Sequence, residues 1–165
     1  MIGDSPITGA EIIDELRRRG LTIAVAESLT GGLLVAELIR PPGASDVVRG
    51  GVVAYATDLK HSILGVDAAQ LAATGPVDAE VARQMASGVR VRLGLAGAPA
   101  DIGISTTGVA GPGPQDEHPP GTVFVGLSRG DVVSAHRLEL SGDRDEVRAG
   151  SVQAALTILW QALQP

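Results

Sequence analysis

The sequence predicts a single three-layer α/β/α domain, with helices on both sides of a mixed, mostly parallel sheet, and three observations carry that expectation. Helix-period and strand-like segments alternate through the first two-thirds of the chain, the pattern of an α/β fold. A β-hairpin follows them: Val123-Phe-Val-Gly-Leu127 and Val132 to Leu140 flank the turn residues Arg129-Gly-Asp131. At 165 residues, 44% of them hydrophobic, the chain has enough material for one core, and residues 1–165 form one domain with no room for a second.

Thr8-Gly-Ala-Glu11 is a capping-box pattern ahead of Ile12, Ile13 and Leu16, and Gly20 is placed to stop the helix, so the first helix covers about residues 9–19. Leu21 to Val25 is a short β-rich run. Gly31 to Ile39 has helical character and meets Pro41-Pro42, which cannot continue a helix. Val47 to Ala56 is an apolar strand whose Gly50-Gly51 pair marks a bulge or a close backbone approach, with Tyr55 at its end. Thr57-Asp58 can cap a short helix that carries Lys60 and closes at Gly65. Asp67 to Ala73 forms another short helix. Asp78 caps a longer one from Ala79 to about Leu93, with Val81, Met85, Val89 and Leu93 on one face and Arg83 and Arg90 on the other. Ala100 to Thr106 is a buried strand. Gly108 to Gly121, rich in glycine and proline, is a loop of functional length. Ser141-Gly-Asp143 opens the last helix, whose stripe is Val147, Val152, Leu156, Leu159 and Leu163.

Composition narrows the function. Aromatics make up 2% of the chain and the net charge is -6, which excludes a basic, ring-studded nucleic-acid surface and favours a small-molecule substrate. There is no cysteine for a disulfide, a thiolate metal site or a thiol nucleophile. Met1-Ile-Gly-Asp-Ser-Pro6 has neither the basic start nor the apolar run of a leader, and no segment approaches the ~20 apolar residues of a membrane span. The expectation is a cytoplasmic protein without membrane partners, and a homodimer or higher oligomer given so apolar a small chain.

Lys60 is the only lysine among 13 basic residues other than histidine, and Tyr55 is the only tyrosine. Arginine serves wherever a permanent charge is wanted. A lysine differs because burial can strip its proton and leave a basic amine; the alternative is a solvated lysine on a turn.

Glu27-Ser-Leu-Thr-Gly-Gly32 lies where a strand hands over to a helix. Ser28 there is either a nucleophile or an N-cap, and the N–H groups near Thr30, Gly31 and Gly32 can hold an anion. The second Gly-rich loop, Thr106 to Pro114, is not a dinucleotide fingerprint, because Pro112 and Pro114 oppose an opening helix. Arg144 and Arg148, one turn apart, either clamp a phosphate or pair with Asp145 and Glu146 on a solvated face. No P-loop or Gly-x-Ser-x-Gly elbow is present, and His61, His118 and His136 fit no zinc spacing. No metal or organic cofactor is expected.

Six motifs in order resemble the C-terminal domain of the competence/damage-inducible CinA family, the domain that stands alone as nicotinamide-nucleotide amidohydrolase. They are Ala26 to Gly32, Pro42-Gly-Ala-Ser45, Gly51-Val-Val-Ala-Tyr55 with Lys60, Thr107-Gly-Val-Ala-Gly-Pro112, Pro120-Gly-Thr-Val123, and Gly142-Asp-Arg144 with Arg148, within a likeness running from Glu11 to Leu163. The chain departs from the family where Leu29 replaces its usual cysteine, where Gly75-Pro-Val-Asp78 replaces Gly-Ala-Val-Ser, and in lacking a lysine near His118. The nucleotide-hydrolysing N-terminal domain of two-domain members has no counterpart in the sequence, so its pyrophosphatase activity is not carried over.

The resemblance implies hydrolysis of the carboxamide of nicotinamide mononucleotide to nicotinate mononucleotide and ammonia in pyridine-nucleotide salvage. It implies catalysis by Ser28 as nucleophile, Lys60 as base and Tyr55 as a proton relay. Thr107, Gly108, Ala110 and Gly111 would line the wall opposite, and Arg144 with Arg148 would face the phosphate. The amides around Thr30, Gly31 and Gly32 would receive either the oxyanion or the phosphate. Glu27 would orient Lys60, face the pyridinium or make a buried structural hydrogen bond. The alternative is a nucleotide-binding or interaction module without catalysis; a phosphatase reading lacks a carboxylate cluster for a metal.

Overall fold

A computed structural model describes residues 6–164. Met1 to Ser5, on which most of the leader reading rests, lie outside the described residues. The elements run α1 (Gly9–Arg19), β1 (Ile23–Glu27), α2 (Leu33–Ile39), β2 (Val48–Val53), α3 (Thr57–Ser62), α4 (Ala68–Thr74), α5 (Ala79–Arg92), β3 (Ile102–Gly108), β4 (Thr122–Arg129), β5 (Val132–Glu139) and α6 (Arg144–Leu163), with a single 3-10 turn at Ala44–Asp46.

The five strands form one sheet in the order β2-β1-β3-β4-β5. β1 pairs in parallel with β2 and β3, while β3–β4 and β4–β5 are antiparallel. Only β4 therefore runs against the others, and the expected three-layer, mostly parallel arrangement is what the chain adopts. On one face α1, α2 and α6 bury Ile12, Leu16, Leu34, Leu38, Leu156 and Leu159 against Ile23, Val25, Ile104 and Val125. On the other, Val81, Met85 and Val89 of α5 meet Ala24, Ala26 and Leu64.

A core this poor in aromatics closes by bringing backbones together. A Cβ on Gly103 would collide with the Ala86 carbonyl and one on Gly126 with the Ala82 carbonyl, so α5 lies directly on β3 and β4. A Cβ on Gly51 would stand 2.9 Å from Val35 Cβ, so α2 lies equally close to β2. The paired glycines of β2 thus mark a close approach, and the β1–β2 register also shifts between Ile23 and Ala24.

The local signals of α1, α5 and α6 held. Thr8 and Glu11 form the capping box, Asp78 caps α5, and Asp143 caps α6 in a second capping box with Glu146. Several boundaries moved. β2 ends at Val53, short of Ala56, and β3 runs two residues later than the predicted strand, to Gly108, because its pairing with β4 extends to Gly108↔Val123 and takes that glycine out of the loop. β1 lies two residues later than the β-rich run, because pairing with β2 and β3 extends to Glu27. α2 starts at Leu33, since Gly31 (φ 60°) and Gly32 (φ 101°) hold left-handed conformations that cannot belong to a right-handed helix. α3 is capped by Ala56 with no side-chain hydrogen bond, so the Thr57-Asp58 cap does not form. Among the described residues no helix is long and apolar enough to cross a membrane.

Candidate active site

The parallel strands β2, β1 and β3 end side by side, and the open edge at their carboxyl ends is where α/β sheets bind ligands. β1 delivers Ser28, whose N–H donates to Thr106 O at 3.0 Å. β2 delivers Tyr55 and, through α3, Lys60; β3 delivers Thr107 and Gly108. A cavity of about 390 Å³ opens there, lined by Ser28, Leu29, Tyr55, Thr57, Lys60, Thr107, Gly108, Ala110, Gly111 and Arg144, among others.

Lys60 is 1% exposed, which removes the reading as a solvated turn lysine. Its Nζ donates to Ala54 O at 2.8 Å and to Ser28 Oγ at 3.1 Å, and among the described residues it has no carboxylate partner. Burial without a counter-charge lowers its pKa from 10.5 to about 8. About a tenth of the amine is then neutral at pH 7 and about half at pH 8. Deprotonated, the amine keeps its bond to Ala54 O and turns a lone pair toward the Ser28 hydroxyl.

This arrangement costs stability. The unfolded chain holds the Lys60 proton more tightly than the folded one, so the penalty acts in full below about pH 8 and fades as the pH rises toward 10.5. A displacement of this size is worth about 3 kcal/mol. Lys60→Met gives up two hydrogen bonds worth about 1 kcal/mol each, and is expected to be more stable than the natural protein at pH 7 by about 1 kcal/mol, or roughly 3 °C in Tm. Thermal melts between pH 7 and 10.5 check this: the advantage should shrink with rising pH, and a lower Tm at pH 7 would contradict it.

Several residues singled out in the sequence do other work. Glu27 is fully buried and accepts from the N–H groups of Gly32 (3.0 Å), Leu34 (3.0 Å) and Val35 (2.8 Å). It therefore caps α2 and touches neither Lys60 nor the cavity. The Gly31 N–H donates to Ser28 O and the Gly32 N–H to Glu27, so neither is left for an anion. Thr30 is fully buried, with its hydroxyl 2.7 Å from that of Thr106. None of these four lines the cavity.

The two arginines of α6 separate. Arg144 lines the cavity, donating to Gly111 O at 2.8 Å and to the Tyr55 hydroxyl at 3.1 Å. Arg148 lies outside it, with Nε on Leu29 O at 3.0 Å and Nη2 on Thr30 O at 3.5 Å. Of the two, only Arg144 reaches the cavity. Tyr55 is 61% exposed and its hydroxyl accepts from Arg144, while Lys60 is engaged by Ser28 and Ala54. The proposed proton relay through Tyr55 has no hydrogen bond to run along, and the ring stands as a cavity wall.

Sequence reasoning missed Thr57, Pro76, Val77 and Gln115, which also line the cavity. Thr57 looked like a helix cap. Pro76 is drawn in from a distant segment by the Thr107 hydroxyl, which donates to Pro76 O at 2.7 Å. The three histidines sit apart: His61 is on Val66 O, His118 is edge-on to Phe124, and His136 is beside Ser134.

Residues 7–163 match the family model of the CinA C-terminal domain. A CinA-like protein of Frankia casuarinae is 47% identical over 152 residues, which is 92% of this chain and 34% of that protein. The chain thus spans about a third of the length of such relatives. Among solved structures, a competence/damage-inducible protein of Agrobacterium tumefaciens superposes with a TM-score of 0.87 at 34% identity, over 94% of this chain and 93% of that one. A CinA superfamily protein of Escherichia coli does so with 0.87 at 30% identity, over 93% and 87%. A buried lysine on a strand-end serine thus sits in a fold and sequence shared along nearly the whole chain, and the chain belongs to the CinA C-terminal domain family.

Proposed function

We propose that this domain is a cytoplasmic amidohydrolase that converts nicotinamide mononucleotide to nicotinate mononucleotide and ammonia, in the salvage of pyridine nucleotides. The observation that carries the reading is the Ser28–Lys60 pair, 3.1 Å apart at the cavity and without a counter-charge. An amide needs a nucleophile and a group that first takes and then returns a proton, and this pair supplies both.

Ser28 Oγ attacks the carboxamide carbon while its proton moves to Lys60 Nζ. The C–N bond then breaks as Lys60 returns that proton to the departing nitrogen, which leaves as ammonia. Water attacks the resulting ester, Lys60 takes its proton, and the acid is released as Ser28 recovers its hydrogen. Arg144, at the exposed rim, is suited to the phosphate, and the cavity volume suits a mononucleotide. The test is ammonia release from purified protein supplied with nicotinamide mononucleotide. A folded protein that binds the nucleotide and releases no ammonia is a binding module instead.

Arg144→Ala is expected to raise KM about tenfold or more with kcat within a few-fold, because a phosphate contact stabilises ground and transition states alike. Steady-state kinetics check it: a large fall in kcat at unchanged KM would place Arg144 in the chemistry.

A further inference from the structure

The turn Ser28–Gly31 holds an unexplained polar group. Buried backbone N–H groups find acceptors in folded proteins, and one that does not is costly. Leu29 is 4% exposed and Thr30 fully buried, and neither N–H has an acceptor among the described residues; of the two, the Leu29 N–H is the one at the cavity. It belongs to the residue immediately after Ser28, and Leu29 lines the cavity. The first-turn N–H groups of α2 are not in the same position: Leu33 donates to Thr30 O, Leu34 and Val35 to Glu27, and Ala36 to Gly32 O.

The peptide plane carrying this N–H is fixed. The Ser28 carbonyl accepts from Gly31 N–H at 3.1 Å, and in a trans peptide the Leu29 N–H points the opposite way. The next two carbonyls, those of Leu29 and Thr30, are gripped by the Arg148 guanidinium, which Asp145 holds in turn at 3.3 Å. The fork fits closely against the turn, since a Cβ on Gly31 would come 3.4 Å from Arg148 Nη2. The Leu29 side chain is anchored among Ala110, Val123 and Val147.

We propose that the Leu29 N–H is the oxyanion donor of this site and that Arg148 is its positioning residue. This rests on Ser28 being the nucleophile. When Ser28 attacks an acyl carbon, the carbonyl oxygen takes up the negative charge beside a donor that needs no reorganisation, and Arg148 keeps the turn from relaxing onto it. The buried N–H without a partner is then explained as a group held open for the reaction.

The experiment removes each part in turn. Replacing Leu29 by its α-hydroxy acid analogue deletes the N–H and keeps the side chain. It is expected to lower kcat on nicotinamide mononucleotide by about 100-fold or more with KM nearly unchanged. Arg148→Ala is expected to lower kcat at least tenfold, again sparing KM, with partial recovery in added guanidinium; Arg148→Lys, which keeps the charge but not the fork, should recover little. In parallel, a fluorophosphonate should label Ser28 in the natural protein, and labelling should slow in the same variants. A rise in KM at constant kcat on changing Arg148, unchanged kcat and labelling in the Leu29 analogue, or no labelling of Ser28 at all would overturn the proposal. Labelling that depends on Leu29 N–H without ammonia release would sustain it while refuting the deamidase reading.

Discussion

Ser28→Ala is expected to lower ammonia release by roughly 10⁴- to 10⁶-fold, the scale on which hydrolases lose turnover with their nucleophile. The fold should survive. The Ser28 hydroxyl contributes one bond to Lys60, and Lys60 keeps its bond to Ala54 O when that hydroxyl is gone. Tm should therefore stay within a few degrees of the natural protein. A folded Ser28→Ala protein with near-normal turnover would remove Ser28 from the mechanism, and with it the proposed role of the Leu29 N–H.

Lys60 carries the second large effect. If its neutral amine is the base, kcat/KM should rise tenfold per pH unit below about 8 and level off above it, because only the deprotonated fraction accepts the serine proton. Lys60→Ala should cost about 10²- to 10⁴-fold in kcat, and Lys60→Arg nearly as much, since arginine keeps its charge at every accessible pH. Burial sharpens this comparison. At a site that is 1% exposed, arginine forces a permanent charge and extra volume into the core, so thermal melting must accompany the kinetics. An active Lys60→Arg enzyme, or a flat profile between pH 6 and 8, would rule out the base role.

Local chemistry determined much of the architecture. Side-chain caps at Thr8, Asp78 and Asp143, with apolar stripes behind them, fixed α1, α5 and α6 because a cap and a stripe act within a few residues of each other. The uniqueness of Lys60 among arginines and the serine at a strand end were equally legible, and both meet at the cavity. The glycine pair of β2 announced a bulge or a close approach, and both occur there, although nothing in it said that the neighbour would be Val35.

What the sequence by itself left open is settled by where helices land on the sheet. Lys60 looks the same in a string of letters whether solvated or buried; docking of α3 below the ends of β1 and β2 buries it and lowers its pKa to about 8. Arg144 and Arg148 stand about one helical turn apart, yet that step of about 6 Å carries one to the cavity rim and the other under the Ser28–Gly31 turn. Glu27 had three possible roles until α2 was placed with its open N–H groups over the Glu27 side chain, which accepts from three of them. Caps and periodicity are short-range and survive in sequence, whereas desolvation and the pairing of groups remote along the chain exist only once the layers have packed.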